Sequence, residues 1–288
     1  ATVTFNAGHT FIIGGGLTVD TGANLVIENN AALRQINKDD NSGSIVVKRT
    51  SSPMIRQDYT AWSSPVANQQ LLAFSPNTIP SRFYEYLYTG TTTPTAYQSV
   101  DPNTNFQKGK GYMIRVDNNW SSSTPAAYNG QFQGVPFNGD VAQRVGMGFN
   151  VLGNPYASPI SADTFLDDNL NASTLYFWTN TTPATGGAYP QNNFASYTKL
   201  GGVAAFGSAK IPNGTIQTGQ GFYVQSTAYQ DCFFRNTQRV NASVSTQFFK
   251  LNQNPSEGHL YRLNFNDQNV SYNQFLIGYT DGATDGVD

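Results

Sequence analysis

Two stretches, Phe106-Gln-Lys-Gly-Lys-Gly-Tyr-Met-Ile-Arg115 and Ile216-Gln-Thr-Gly-Gln-Gly-Phe-Tyr-Val-Gln225, decide how the middle of this chain is read. Only the Gln and the two Gly coincide among the ten aligned positions, yet both copies enter a β-prone run through Gly-x-Gly. Reading backwards from each, the same features recur in the same order. Trp62-Ser-Ser-Pro65-Val66 is matched by Leu152-Gly-Asn-Pro155-Tyr156. Short helical stretches follow, Val66–Phe74 and Ile160–Leu170, the second with Ser161 as N-cap and Asp163 in its first turn. An aromatic strand comes next, Arg82-Phe-Tyr-Glu-Tyr-Leu-Tyr88 in one copy and Thr174-Leu-Tyr-Phe-Trp178 in the other. The separation of the copies grows from 90 residues at the Pro to 110 at the Gly-x-Gly, which places about 20 extra residues within 179–214, a stretch rich in Asn, Gly and Pro.

The first forty residues repeat on a shorter scale. Apolar pairs stand at Phe11/Ile13, Leu17/Val19 and Leu25/Ile27, followed by Leu33, with Gly14-Gly-Gly16, Thr21-Gly22 and Asn29-Asn30 between them. Brief strands separated by Gly and Asn corners suit the stacked parallel rungs of a β-solenoid, because Gly and Asn tolerate left-handed backbone. A meander of hairpins is the alternative. Toward the end, Leu260–Phe265 alternates apolar and polar residues, as an antiparallel strand with one wet face does. The expectation is all-β. It comprises a short parallel β-solenoid edge (1–50), two repeated β-sandwich, jelly-roll-like modules (51–135 and 136–228) and an antiparallel β segment (229–288).

Composition narrows the function. Charged residues make up 12% of the chain, against about 25% in an average domain. A net charge of −2 offers no basic footprint for nucleic acid. The single Cys232 excludes an internal disulfide and a thiolate zinc cage. No run approaches the ~18 apolar residues of a membrane span. With 39% hydrophobic residues, the chain still has the means to build a core.

Candidate chemistry is thin. Gly109-Lys-Gly111 and Gly219-Gln-Gly221 lead into strands and not into the helix N-terminus that a phosphate loop needs. His9 and His259 lie in different segments without a nucleophile motif beside them, and Glu28, Glu85 and Glu257 are a small stock for glycosidase chemistry. No catalytic residue and no enzymatic activity are expected. Trp120, with Tyr128, is the candidate sugar-stacking platform. Asp281, Asp285 and Asp288 form the candidate calcium cluster, although their spacing is not that of an EF-hand. No other cofactor is expected.

Three features together resemble a known family: the text Gly22-Ala-Asn-Leu-Val-Ile-Glu-Asn-Asn30, the Trp62-Ser-Ser-Pro65 module with its Gly-Lys-Gly-Tyr strand, and the closing Gln274–Asp288. They are similar to the C-terminal portions of large Bacteroidetes, especially flavobacterial, proteins exported by the type IX secretion system. The resemblance implies a secreted protein at the outer-membrane cell surface, with adhesion or gliding motility as its setting. It also implies contact with the type IX translocon and surface-attachment components through a C-terminal sorting domain beyond Asp288. It carries over no catalytic residues. The chain is therefore expected to be a window on a longer protein and to act as a non-enzymatic stalk or presenting module of an adhesin. Two alternatives stand beside this: a carbohydrate-binding module that contacts glycans, and a passenger segment recognised by the secretion machinery.

Overall fold

In the computed structural model the chain begins by passing the same three short sides twice. Strands β1 (Thr2–Phe5) and β3 (Asn24–Ile27) pair in parallel with a step of 22 residues, Thr2 against Asn24. Strands β2 (Thr10–Ile13) and β4 (Ala32–Gln35) pair likewise, Thr10 against Ala32, and a parallel bridge joins Thr18 to Ser42 on the third side. Strand β5 (Ile45–Met54) then joins β3 in parallel. The six- to eight-residue spacing of apolar pairs is thus the length of one side, and the stacking repeat is close to 22. Parallel pairing, not a hairpin meander, is what the Gly and Asn corners serve. Gly8 (φ 82°) and Asn30 (φ 63°) lie one circuit apart, and Gly8 N–H donates to the Asn30 carbonyl at 2.9 Å. Stacked corners need the same left-handed turn, which only such residues adopt cheaply.

The structure describes residues 1–87, 96–182, 189 and 193–243, with the backbone of 260–266 and 272–278. Residues 1–251 form one compact unit and 252–288 another.

The repeat read in the sequence is a repeat of topology. The first copy holds β6 (Tyr59–Trp62), α1 (Leu71–Phe74), β7 (Phe83–Leu87), β8 (Ala96–Ser99) and β9 (Tyr112–Arg115), in a sheet ordered β6-β9-β7-β8. Strand β10 (Ala126–Gly134) runs antiparallel to β5, and β11 (Val141–Val145) follows. The second copy then brings β12 (Gly148–Gly153), β13 (Ile160–Ser161), α2 (Ala162–Asp168), β14 (Ala172–Trp178), β15 (Phe194–Thr198), β16 (Gly201–Val203), β17 (Thr215–Ile216) and β18 (Gly221–Ser226). Its sheet is ordered β12-β18-β14-β15-β16. Registers match strand for strand. Tyr84 faces Met113 as Tyr176 faces Tyr223, and Tyr86 faces Tyr97 as Trp178 faces Phe194. Strand β16, the addition to the second sheet, falls inside the expected insertion.

The helices are shorter than the sequence pattern suggests. In the first copy Asn68 has φ 61°, which an α-helix cannot contain, so only Leu71–Phe74 is helical. In the second, Ser161 caps as expected, its Oγ accepting from Thr164 N–H at 3.2 Å, and Asp163 sits in the first turn.

Strand alternation distributes the rings into layers. Tyr112 and Ile114 of β9 point into an outer core with Trp62, Phe74, Phe83 and Phe132, which also takes in Leu25, Ile27, Leu33 and Val47 of the N-terminal strands. Phe222 and Val224 of β18 point into a second outer core with Phe165, Phe177 and Phe234. The intervening residues, Met113 and Tyr223, point into a third layer between the two sheets, beside Ala61 and Val151. The divisions drawn at 50 and 135 from sequence therefore run through shared cores. Strand β19 (Gln230–Phe234) pairs back on β11, inside the first unit. In the second unit, β20 (Leu260–Asn266) and β21 (Tyr272–Gly278) form the expected antiparallel pair.

The two copies meet through an isologous contact within one chain. Ser63 N–H donates to the Gly219 carbonyl at 2.9 Å, and the equivalent Gly153 N–H donates to the Gly109 carbonyl at 3.0 Å. Bridges Trp62 to Gln220 and Leu152 to Lys110 repeat the reciprocity. The Gly-x-Gly pairs exist for this contact. Gly109 (φ 78°) and Gly219 (φ 72°) make the turn, and Gly111 and Gly221 let the other copy approach. A Cβ at Gly111 would lie 2.5 Å from the Leu152 carbonyl oxygen, and one at Gly221 would lie 3.0 Å from Ala61.

Candidate functional site: an aromatic cleft between the sheets

Part of the layer between the sheets is open. The open part is a cleft of about 480 Å³. Tyr59, Tyr84, Tyr97 and Met113 line it from the first sheet, and Trp178, Phe194, Asn193 and Tyr189 from the second copy. They converge because β6, β7, β8 and β9 each place alternate residues on this face, and β14 and β15 do the same from the opposite side. Ring pairs set the walls. Tyr59 and Tyr84 have centroids 6.0 Å apart, Trp178 and Phe194 5.1 Å, and Trp178 and Tyr189 4.8 Å in an edge-to-face arrangement. Trp178 is held by its Nε1–H, which donates to Asn180 Oδ1 at 3.1 Å, while Asn180 Nδ2 donates to the Tyr59 carbonyl at 3.0 Å. One amide thus ties the far end of β14 to β6.

On the other side of Trp178 lies a smaller cavity of about 190 Å³ lined by Thr60, Asn180, Ser208, Lys210 and Gln220 among others. Trp178 is common to both, so an apolar aromatic wall adjoins a surface of hydroxyls, amides and one amine.

The cleft holds neutral phenols. Burial pushes Tyr97 up to about 12, its hydroxyl sharing a hydrogen bond with that of Tyr223. Burial raises Tyr59 and drives Tyr189 and Tyr223 further above the ordinary tyrosine value. No carboxylate, imidazole or thiol is among the cleft-lining residues described. These shifts carry a stability consequence. The folded state favours the neutral phenol, so the unfolded chain loses its protons first. The contribution is complete below about pH 10 and is lost as pH rises through about 12, where Tyr97, Tyr112 and Tyr197 titrate. Arg49 and Arg239, lowered by desolvation to about 9 and about 10, act in the opposite sense but are fewer. Urea midpoints measured from pH 8 to 12 are expected to fall steeply above pH 10. A flat profile would contradict the burial of these hydroxyls.

The residues singled out in the sequence lie elsewhere. Trp120 and Tyr128 are together, centroids 6.2 Å apart, at the edge of the first outer core. Tyr128 packs edge-on against Trp62 and Phe74 and donates its hydroxyl to the Phe74 carbonyl, so this pair extends the core cluster outward. Asp281, Asp285, Asp288, His259 and Glu257 lie outside the described residues. Among the described residues no three His, Cys, Asp or Glu side chains gather as a metal site. Glu28 pairs with Lys48 at 2.7 Å and Glu85 with Lys110 at 2.5 Å. The exposed His9 has its Nδ1 3.2 Å from the carbonyl of Asn6. Cys232 is buried, its thiol pushed up to about 11 by desolvation. Among the described residues no helix is long and apolar enough to cross a membrane.

One family model, described as a domain of unknown function (DUF8693), matches residues 1–288, the whole sequence. The chain belongs to the DUF8693 family. No curated protein and no solved structure matches it. Within this DUF8693 domain the cleft went unrecognised at the level of sequence, although its strands were marked there as aromatic. Alternation reveals that a strand has two faces, but not which of them is left open.

Proposed function

We propose that this domain is a non-enzymatic surface module of an adhesin-like protein, exported by the type IX system, and that it holds a neutral glycan in the cleft between its sheets. The observation that carries the glycan is the cleft's chemistry. Faces of Tyr, Trp and Phe come from two opposed sheets with no charged group among the described residues lining the cleft, and the hydroxyls, amides and Lys210 amine of the adjoining cavity stand at its margin. Sugar rings offer apolar C–H faces bounded by hydroxyls, which such a surface complements. The three cores fused in residues 1–251 suit a presenting unit that carries the site rigidly. The order of motifs from the N-terminal rungs to the closing Asp-Gly turns supports the secretion setting.

A glycan array probed with the purified chain, followed by calorimetry on the best neutral oligosaccharide, tests the reading. Trp178→Ala is expected to lose about 30-fold in affinity, corresponding to about 2 kcal/mol for a buried aromatic anchor. Trp120→Ala, away from the cleft, is expected to bind as the parent does. The reverse ranking, or hydrolysis of the glycan, would sink the proposal.

A further inference from the structure

The internal twofold assigns partners to cleft residues of both sheets. Met113 and Tyr223 are equivalent, since each lies two residues after the second Gly of its Gly-x-Gly and faces the matching tyrosine, Tyr84 or Tyr176. Tyr86 corresponds to Trp178, and Tyr97 to Phe194. Tyr223 packs on Phe194 at 4.9 Å and Tyr86 at 5.9 Å, and its hydroxyl bonds to that of Tyr97. Carried through the twofold, those three neighbours become Tyr97, Trp178 and Phe194. All three line the cleft, together with Met113. A tyrosine at position 113 would therefore project its ring among residues that line the cleft.

We infer that Met113 is the specificity-determining residue of this domain: by standing where the repeat places tyrosine, it keeps a phenol ring out of the cleft and leaves it to a sugar ring. The inference rests on the glycan reading for the identity of the sugar ring but not for the exclusion of the phenol. Methionine suits the task twice over. It occupies less width than a phenol ring, and its thioether adapts to a bound partner. Tyr223, 3% exposed, shows that a phenol is accommodated at the equivalent position of the second sheet.

The test uses the whole chain. The three methionines, Met54, Met113 and Met147, are labelled as ¹³C-methyl and assigned with Met113→Leu and Met147→Leu. Cellohexaose and, separately, phenol are titrated in. Met113 alone is expected to shift, because of the three methionines only Met113 lines the cleft. Met113→Tyr is expected to raise the melting temperature and to weaken both probes at least tenfold, whereas Met113→Leu keeps them. A lower melting temperature for Met113→Tyr, or unchanged phenol binding, would overturn the inference. Phenol binding at Met113 without binding of cellohexaose or any glycan on the array would uphold the inference and reject the glycan reading alone.

Discussion

Gly111→Ala is expected to destabilise the chain by about 3 kcal/mol, the upper range for overpacking a close-packed contact. The added methyl would lie 2.5 Å from the Leu152 carbonyl oxygen and 2.6 Å from Val151 Cγ1, both in the opposite copy. Neither can yield without parting the two sheets. Gly153→Ala is expected to cost as much, since its Cβ would meet Ser63 Cβ at 2.2 Å. Gly221→Ala is milder, because there the equivalent of Val151 is Ala61 and the nearest atoms stand at 3.0 Å. Gly14→Ala is the control: nothing lies within 4 Å of the added carbon. Thermal unfolding should place Gly111→Ala and Gly153→Ala roughly 6–12 °C below the parent and Gly14→Ala within a degree or two. Equal midpoints for all four would show that the reciprocal contact is not tight.

Arg239→Met is expected to be at least as damaging, by about 4 kcal/mol. Arg239 is 1% exposed and binds four separate segments without a carboxylate. Its Nη2 donates to the Leu33 carbonyl at 2.6 Å, Nη1 to Asn138 Oδ1 at 2.9 Å and to Asn236 Oδ1 at 3.5 Å, and Nε to Ser158 Oγ at 3.1 Å. The guanidinium also lies 4.8 Å from the Tyr156 ring centre. Methionine fills part of the volume but leaves buried acceptors without donors, each costing about 1–3 kcal/mol. Arg239→Lys is expected to recover little, because one ammonium cannot reach four acceptors arranged for a planar fork. Chemical denaturation of the three chains decides it. Lysine performing as well as arginine would reduce this residue to a buried charge.

Much of the architecture was legible locally. The order Trp62-Ser-Ser-Pro, helix, aromatic strand, Gly-x-Gly is enough to reveal two copies, because each feature is a local conformational requirement repeated along the chain. Ser161 was readable as a cap for the same reason. The 22-residue circuit was only half readable. Apolar pairs mark the sides of a coil, whereas the number of sides per turn is a matter of which corners bend, as at Gly8 and Asn30. The helix in the first copy was overextended, since Asn68 is compatible with a helix until its backbone is known to be left-handed.

The sequence by itself determined that the chain is all-β, that it contains a duplicated module with an insertion in the second copy, and that it is poor in groups for acid–base or metal chemistry. These follow from composition and short-range pattern. Only the tertiary structure decided that the two copies face each other, that the Gly-x-Gly pairs serve their mutual approach, and that aromatic residues of both copies line one cleft. Those depend on pairs of residues about 40 to 160 positions apart meeting across a layer. Alternation in a strand states that a ring points to one side, and only packing states whether another ring is there to receive it.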